Sequence, residues 1–431
     1  MKKTILIIIS LIFFIPKVFA ITLTEALTQA YKNNPELNAE RENIKISEED
    51  LNISKGEYLP TLTLSGSKSK EDTNKLTNQS GGDATITDVD PQSTSITIEQ
   101  TLIDFGRGAE YEKNKIGINL AKAKLLKKEQ DILYKAIEAY TGLILANEKF
   151  EINKANVNLL ERQVETDTIR LERGQVTISD VAQSESSLAE AQAKLIQAQN
   201  DVLTSKLNYE NIIGPLSNSN LLEKNSTINF VIPQNLNSAI ELSKKNNPDL
   251  NIALLEYEQS EKDTIIAKSD LSPTAKLSFE RSYSDDLSST YDEREKDILK
   301  ATVSWPFYSG GKNMAKYKKN INLQTRKRLL LDNTTKSNET IVASAWSNFQ
   351  SSKSLLNSVE LQVKAAEIAN EGITAEYESG VGRTTLEVIQ SNSFLLNAQI
   401  SLANSERNYL LSQFNLLKSI GLLNSSYLKI K

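Results

Sequence analysis

The chain of 431 residues has no cysteine and no histidine. Without cysteine there is no disulfide, no thiolate nucleophile and no acylated cysteine of a lipoprotein. The lack of both residue types removes the usual zinc sites and the histidine-based nucleophile relays together. A phosphate-binding loop is missing too, because Gly310-Gly311-Lys312 lacks the upstream glycine and the Ser or Thr of that motif. The remaining nucleophile types form no distinctive pair, so the sequence reads as a non-enzyme without cofactor or metal. A basic excess is also absent. Setting aside Lys2, Lys3 and Lys17 of the leader described next leaves 47 basic against 55 acidic residues, a net charge of −8. A nucleic-acid binder shows the opposite balance on one face.

Long apolar runs are absent after residue 20. The one run present, Ile5 to Ile15, follows Lys2 and Lys3 and precedes Pro16 and Val18-Phe19-Ala20. A basic start, a short apolar core and a small-residue cleavage site predict a secretory signal peptide over residues 1–20. The run is well short of the roughly 20 residues that span a bilayer. The mature chain is expected to begin near Ile21.

What is present is a duplication. TEALTQAYKNNPELN from Thr24 is answered by NSAIELSKKNNPDLN from Asn237. Pro35 and Pro248 are 213 residues apart, and Gly214 and Gly421 are 207 apart. The expected organisation is a first repeat over 21–214, an Asn-, Ser- and Pro-rich linker over 215–234 and a second repeat over 235–431. Each repeat opens with one helix, about Thr24 to Tyr58 and Asn235 to Leu271. Strands follow near 61–66 and 95–102, and near 274–283 and 298–307. Long helices are expected over 107–173 and 177–213, then over 311–379 and 384–420.

The long helices keep a seven-residue apolar spacing. Val181, Leu188, Leu195, Val202 and Tyr209 form one row, and Ser184, Ala191, Ala198, Ser205 and Ile212 form a second. Val388, Leu395, Leu402, Tyr409 and Leu416 repeat the first row in the second copy. This is a heptad seam with large residues in one row and small ones in the other. No proline interrupts Arg107 to Arg173, so that helix would be roughly 100 Å long at 1.5 Å per residue. Such a helix is a strut, a coiled coil or the wall of a tube.

The strands alternate with period two. Leu62 and Leu64 alternate with Thr61, Thr63 and Ser65, and Ala301, Val303, Trp305 and Phe307 alternate with Thr302, Ser304 and Pro306. The connections Gly66 to Thr94 and Ser282 to Lys296 are polar and read as exposed loops. An apolar face opposite a hydroxyl and charged face suits a barrel with lipid outside and water inside, and equally a soluble sandwich. Four strands cannot close a membrane barrel, so a lipid-spanning reading requires several chains.

The ordered set TLTEALTQAYKNNPEL, GEYLPTLTLSG, IEQTLIDFGRG, RGQVTISDV and YESGVGRTTLEVIQSNS, with the whole unit duplicated, resembles the TolC family of outer-membrane efflux proteins. The likeness covers essentially the whole mature chain. It implies a mainly α fold with a small β part: a long antiparallel coiled-coil tunnel in the periplasm and one shared 12-stranded barrel in the outer-membrane lipid, built by a homotrimer. It also implies a periplasmic adaptor protein and an inner-membrane transporter of RND or ABC type as partners, with cargo passing chemically unchanged. By position, Tyr377 and Arg383 resemble the pair that holds the tunnel closed, with Asp180, preceded by Ser179, as their acceptor. Glu387 and Gln390 fall at the pore constriction, where the neutral Gln390 leaves a single charged ring. Gly174, Gln175, Gly380 and Val381 resemble the adaptor contact. One departure is an extra residue ahead of Arg383. The competing reading is a periplasmic coiled-coil adaptor or scaffold, which would share the heptads without needing duplicated strand pairs.

Overall fold

The computed structural model describes residues 20–72, 89–216, 222–224, 231–288, 291–380 and 382–430. The leader up to residue 19, much of the linker and Val381 lie outside them. The elements run α1 (Leu23–Asn33), α2 (Pro35–Gly56), β1 (Thr61–Lys68), β2 (Gln92–Ile103), α3 (Arg107–Glu172), α4 (Ile178–Ile212), α5 (Leu236–Asn246), α6 (Pro248–Ser269), β3 (Thr274–Ser288), β4 (Tyr291–Ser304), α7 (Lys312–Glu378) and α8 (Thr385–Ser419). Among the described residues no helix is long and apolar enough to cross a membrane.

β4 ends at Ser304 rather than at the expected 307, which leaves Trp305 and Phe307 outside the strand, and two larger differences from the sequence reading stand beside this one. The opening helix of each repeat is two helices, broken at Asn34-Pro35 and Asn247-Pro248. Proline has no N–H to donate and disfavours helical geometry in the residue before it, and both asparagines are extended, with ψ of 122° and 120°. The broken corner then gains partners. Asn34 accepts from the amides of Glu36 and Leu37 and donates to the Ile212 carbonyl at 3.2 Å. Asn247 donates to the Ser419 carbonyl at 2.9 Å and to Asn338 at 2.8 Å. Each NNP corner therefore satisfies the frayed end of the last helix of its own repeat. The second difference is that most of 282–296, read as a loop, is paired strand: Ser282 faces Lys296, Asp285 faces Glu293 and Ser288 faces Tyr291. Its charged composition concealed a period-two ladder.

The described residues form two compact units, each drawing on both repeats. The first comprises parts of 1–38, 126–247 and 338–431, and the second comprises 39–125 and 248–337. In the first unit one core joins Leu23, Leu27, Ile137, Tyr140, Tyr209, Val342, Phe414 and Ile420. Two smaller clusters continue along the hairpins: Val157, Leu160 and Ala191 with Leu188 and Leu195, and Val363, Ala366 and Ala398 with Leu395 and Leu402. They occupy equivalent positions in the two repeats. Alanines at these seam positions permit close helix approach. The segment 222–224 straps this unit: Tyr140 donates to the Ile21 and Glu223 carbonyls at 2.8 Å, and Lys224 pairs with Glu148 and Glu406.

The second unit carries the sheet, four antiparallel strands in the order β1-β2-β3-β4. Arg107, at the start of α3, donates to the Thr101 carbonyl at 2.9 Å and stacks on Tyr58, fixing the sheet to that helix. Leu62, Ile98, Phe279 and Leu299 form one apolar row across all four strands. Leu62 is 70% exposed and Leu299 73%. The opposite face carries Thr63, Thr97 and Glu280 in one row and Ser65, Ser95 and Ser282 in another. On β2 and most of β3 the hydroxyl face is half-buried while much of the apolar face is exposed. A curled sheet shields its concave side in this way, so the polar face is the concave one.

Candidate gate at the helical tips

Each long hairpin reverses at a left-handed glycine. Gly174 has φ of 68°, and its turn is closed by the Gln175 amide donating to the Arg170 carbonyl at 2.9 Å. The second turn holds two such glycines, Gly380 at 76° and Gly382 at 64°. It spans 379–384, one residue more than 173–177. The extra residue before Arg383 is thus absorbed by a second position that only glycine adopts without strain. Gly174, Gln175 and Gly380 are exposed, and a side chain added at either glycine would meet nothing within 4 Å.

Both following helices begin with a capping box. Thr177 caps α4: its amide donates to Asp180 at 2.8 Å, and the Asp180 amide donates back to Thr177 Oγ1 at 3.3 Å. Thr384 and Glu387 repeat this on α8, at 2.8 and 3.3 Å. Glu387 also accepts from Arg383 at 3.1 Å, and Arg383 Nε donates to Glu376 at 2.6 Å. The Thr177 amide holds the Asp180 carboxyl below the usual carboxylate range. The Thr384 amide, then Arg383, does the same for Glu387, while Glu376 raises the Arg383 guanidinium.

Tyr377 lies deeper. Its ring is buried, with the Arg170 guanidinium 4.1 Å from its centroid, and Arg170 also donates to its backbone carbonyl at 3.2 Å. Its hydroxyl donates to Asp167 Oδ1 at 2.5 Å and lies 3.0 Å from Thr385 Oγ1. Asp167 is fully buried and accepts from Ser184 at 2.5 Å and from Gln163 at 3.0 Å as well. Burial, then the hydrogen bond to Asp167, raises the Tyr377 phenol above its ordinary value. One carboxylate therefore joins α3, α4 and α7.

These contacts differ from the expected ones. Within the chain, Asp180 is not the acceptor of Tyr377 or Arg383, because its carboxylate is held by its own helix cap and Asp167 takes the tyrosine. Arg383 is held by Glu376 and Glu387 on its own hairpin. Ser179 is exposed beside the first cap. Gln390 is exposed along an open groove between α4 and α8 that Gln183, Ser187 and Leu386 also line. Val381 lies outside the described residues. The sequence reading missed Asp167, although a signal existed. Ala139, Ala146, Asn153, Leu160 and Asp167 are seven apart, so a carboxylate stands in a seam row.

The fold is that of an outer-membrane channel subunit. The Campylobacter jejuni CmeC outer membrane channel matches with a TM-score of 0.82, covering 93% of this chain and 85% of that one at 15% identity. Among curated proteins, the outer membrane efflux protein BepC of Brucella suis is 26% identical over 413 residues, 95% of this chain and 87% of its own. The outer membrane protein TolC of Escherichia coli K12 is 24% identical over 416 residues, 93% of this chain and 82% of its own. The sequence profile of outer membrane efflux proteins matches residues 26–215 and again 239–422. The chain belongs to the outer membrane efflux protein family and is a channel of the outer membrane.

Proposed function

We propose that three copies of this chain close one 12-stranded barrel, four strands from each, and that their helices continue it as a periplasmic duct. The duct takes cargo from an inner-membrane transporter of RND or ABC type through a periplasmic adaptor and releases it outside, unchanged. The observation that carries this reading is the sheet. Its apolar face is exposed and its edge strands β1 and β4 are each paired on one side only. Hydrocarbon does not tolerate open edges, so neighbouring copies must supply the missing partners.

The tips then form the gate. Tyr377 latches the second hairpin to the first through Asp167, which supports a closed state held within each chain. Arg383, Asp180 and Ser179 line the rim, where the latch extends between neighbouring chains. Glu387 and Gln390 narrow the pore. Gly174, Gln175, Gly380 and Val381 are the proposed adaptor contact, which is supported by the open space around Gly174 and Gly380. The exposed Ile178 beside the first turn supplies apolar contact.

Mass measurement of the protein extracted from outer membranes in mild detergent tests the assembly. A trimer is expected. A stable monomer that dissolves without detergent overturns the barrel.

A further inference from the structure

Along β4 the sequence Glu293-Arg294-Glu295-Lys296-Asp297 alternates acid with base. Alternate residues of a strand point to opposite faces, so the two signs are sorted to different sides of the sheet. The register decides which. Arg294 stands opposite Ser284, Lys296 opposite Ser282 and Lys300 opposite Ser278. Those serines continue across the sheet to Ser93, Ser95 and Glu99, and then to Ser67, Ser65 and Thr61. All three cations therefore lie on the concave hydroxyl face. Glu293, Glu295 and Asp297 stand opposite Asp285, Tyr283 and Arg281 on the convex face.

On the concave face the regular ladder holds four basic residues, Lys276, Arg294, Lys296 and Lys300, and two acidic ones, Glu99 and Glu280. Lys276 is already bound to Glu99 at 2.8 Å. Among the described residues Arg294, Lys296 and Lys300 form no ion pair. Glu71, Asp286 and Asp292 follow the same alternation beyond the regular pairs, so the basic excess is confined to the ladder itself. β4 is an edge strand, and the strand it would meet on closure is β1. The concave residues of β1 are Thr61, Thr63, Ser65 and Ser67, none of them charged. Closure along the paired rows of β1 therefore brings no acid to these cations and repeats them around the ring.

We propose that this face makes an electropositive collar in the lumen of the barrel and that the outer end of the duct favours anionic solutes. The inference rests on the barrel reading above. Rings of Lys and Arg select anions in pores, and a low-dielectric wall of one sign raises the local concentration of the opposite ion.

The native chain has no thiol, so one introduced cysteine reports one place. Ser282→Cys sits opposite Lys296. The detergent trimer is treated at low salt with an anionic sulfonatoethyl and a cationic trimethylammonioethyl methanethiosulfonate, and the two rates are divided. The ratio should exceed that of a free thiol at least about fivefold. It should return toward the free-thiol value when Lys296→Gln and Lys300→Gln are added, while Thr94→Cys on the convex face shows no rise. If Ser282→Cys does not assemble, Ser284→Cys opposite Arg294 gives the same reading. A ratio at or below the free-thiol value in an intact trimer overturns the collar and leaves the channel standing, as does a high ratio indifferent to the lysine changes. A wild-type protein that forms no trimer overturns the shared-barrel reading itself.

Discussion

Glu387 satisfies two neighbours with one carboxylate, accepting from the Thr384 amide and from Arg383. Both contacts favour the ionised form, so its folded pKa lies below the ordinary 4.5. The sign of the linkage follows. The cap's contribution is complete above 4.5 and is lost as pH falls through the lowered value. Acidification through that window should therefore loosen the first turn of α8, read as faster amide exchange at 384–388 relative to the intrinsic rate. Glu387→Gln should abolish this pH dependence. The 177–181 turn, capped by Asp180, should keep its own acid response in that variant and serves as the internal comparison. Asp167 belongs to another class of carboxylate. It is buried and hydrogen-bonded to Gln163, Ser184 and Tyr377. A buried carboxylate is stable only with its donors in place.

At the scale of elements, the same residue type serves two purposes. Gly380, with φ of 76°, reverses a hairpin in open space, whereas Gly421, with φ of 81°, ends α8 where an added Cβ would fall on the backbone of Asn246 and Asn247. Gly380→Ala should cost only the left-handed strain, roughly 1–2 kcal/mol. Gly421→Ala adds a collision with backbone that cannot step aside, roughly 1–3 kcal/mol more. Thermal unfolding of the two variants should show the larger loss at Gly421, and equal losses would mean that the corner yields. The contrast marks what the sequence made legible. Pro35 with Pro248 and Gly214 with Gly421 announced the repeat, and the heptad rows located the seams because burial and periodicity report the same geometry. Leu62, Ile98 and Val303 likewise disclosed the apolar face. The full length of β3 and β4 stayed hidden because alternating charges resemble a loop in composition. Asp167 stayed hidden because its partner Tyr377 is 210 residues away, a separation that no local pattern encodes.

For the assembly proposed above, the latch proposed at the tips is the quantity to weigh. A buried hydrogen bond to a charged acceptor contributes about 1.5–3 kcal/mol, and in the proposed trimer threefold symmetry would repeat the Tyr377–Asp167 bond once per chain. A closed state held by several kcal/mol can still be released by a docking partner. Tyr377→Phe combined with Arg383→Ser should therefore raise single-channel conductance in a planar bilayer with the trimer intact. Asp167→Ala should do so as well, and Asp180→Ala should have a smaller effect. Unchanged conductance in the double variant would place the constriction elsewhere in the duct.

The core of the first unit has a bearing on time as well as on space. It holds Leu23 and Leu27 together with Phe414, Leu428 and Ile430, so residues from near the two ends of the described chain share one interior. A polypeptide that crosses a membrane amino end first delivers α1 long before α8. Until residues 414–430 arrive, the apolar stripe of α1 and the facing row of α3 lack part of their cover. The core of this unit is therefore complete only once those residues are in place, and a chain halted early leaves apolar surface uncovered. Exposed apolar surface of that kind adheres to other chains until its cover arrives.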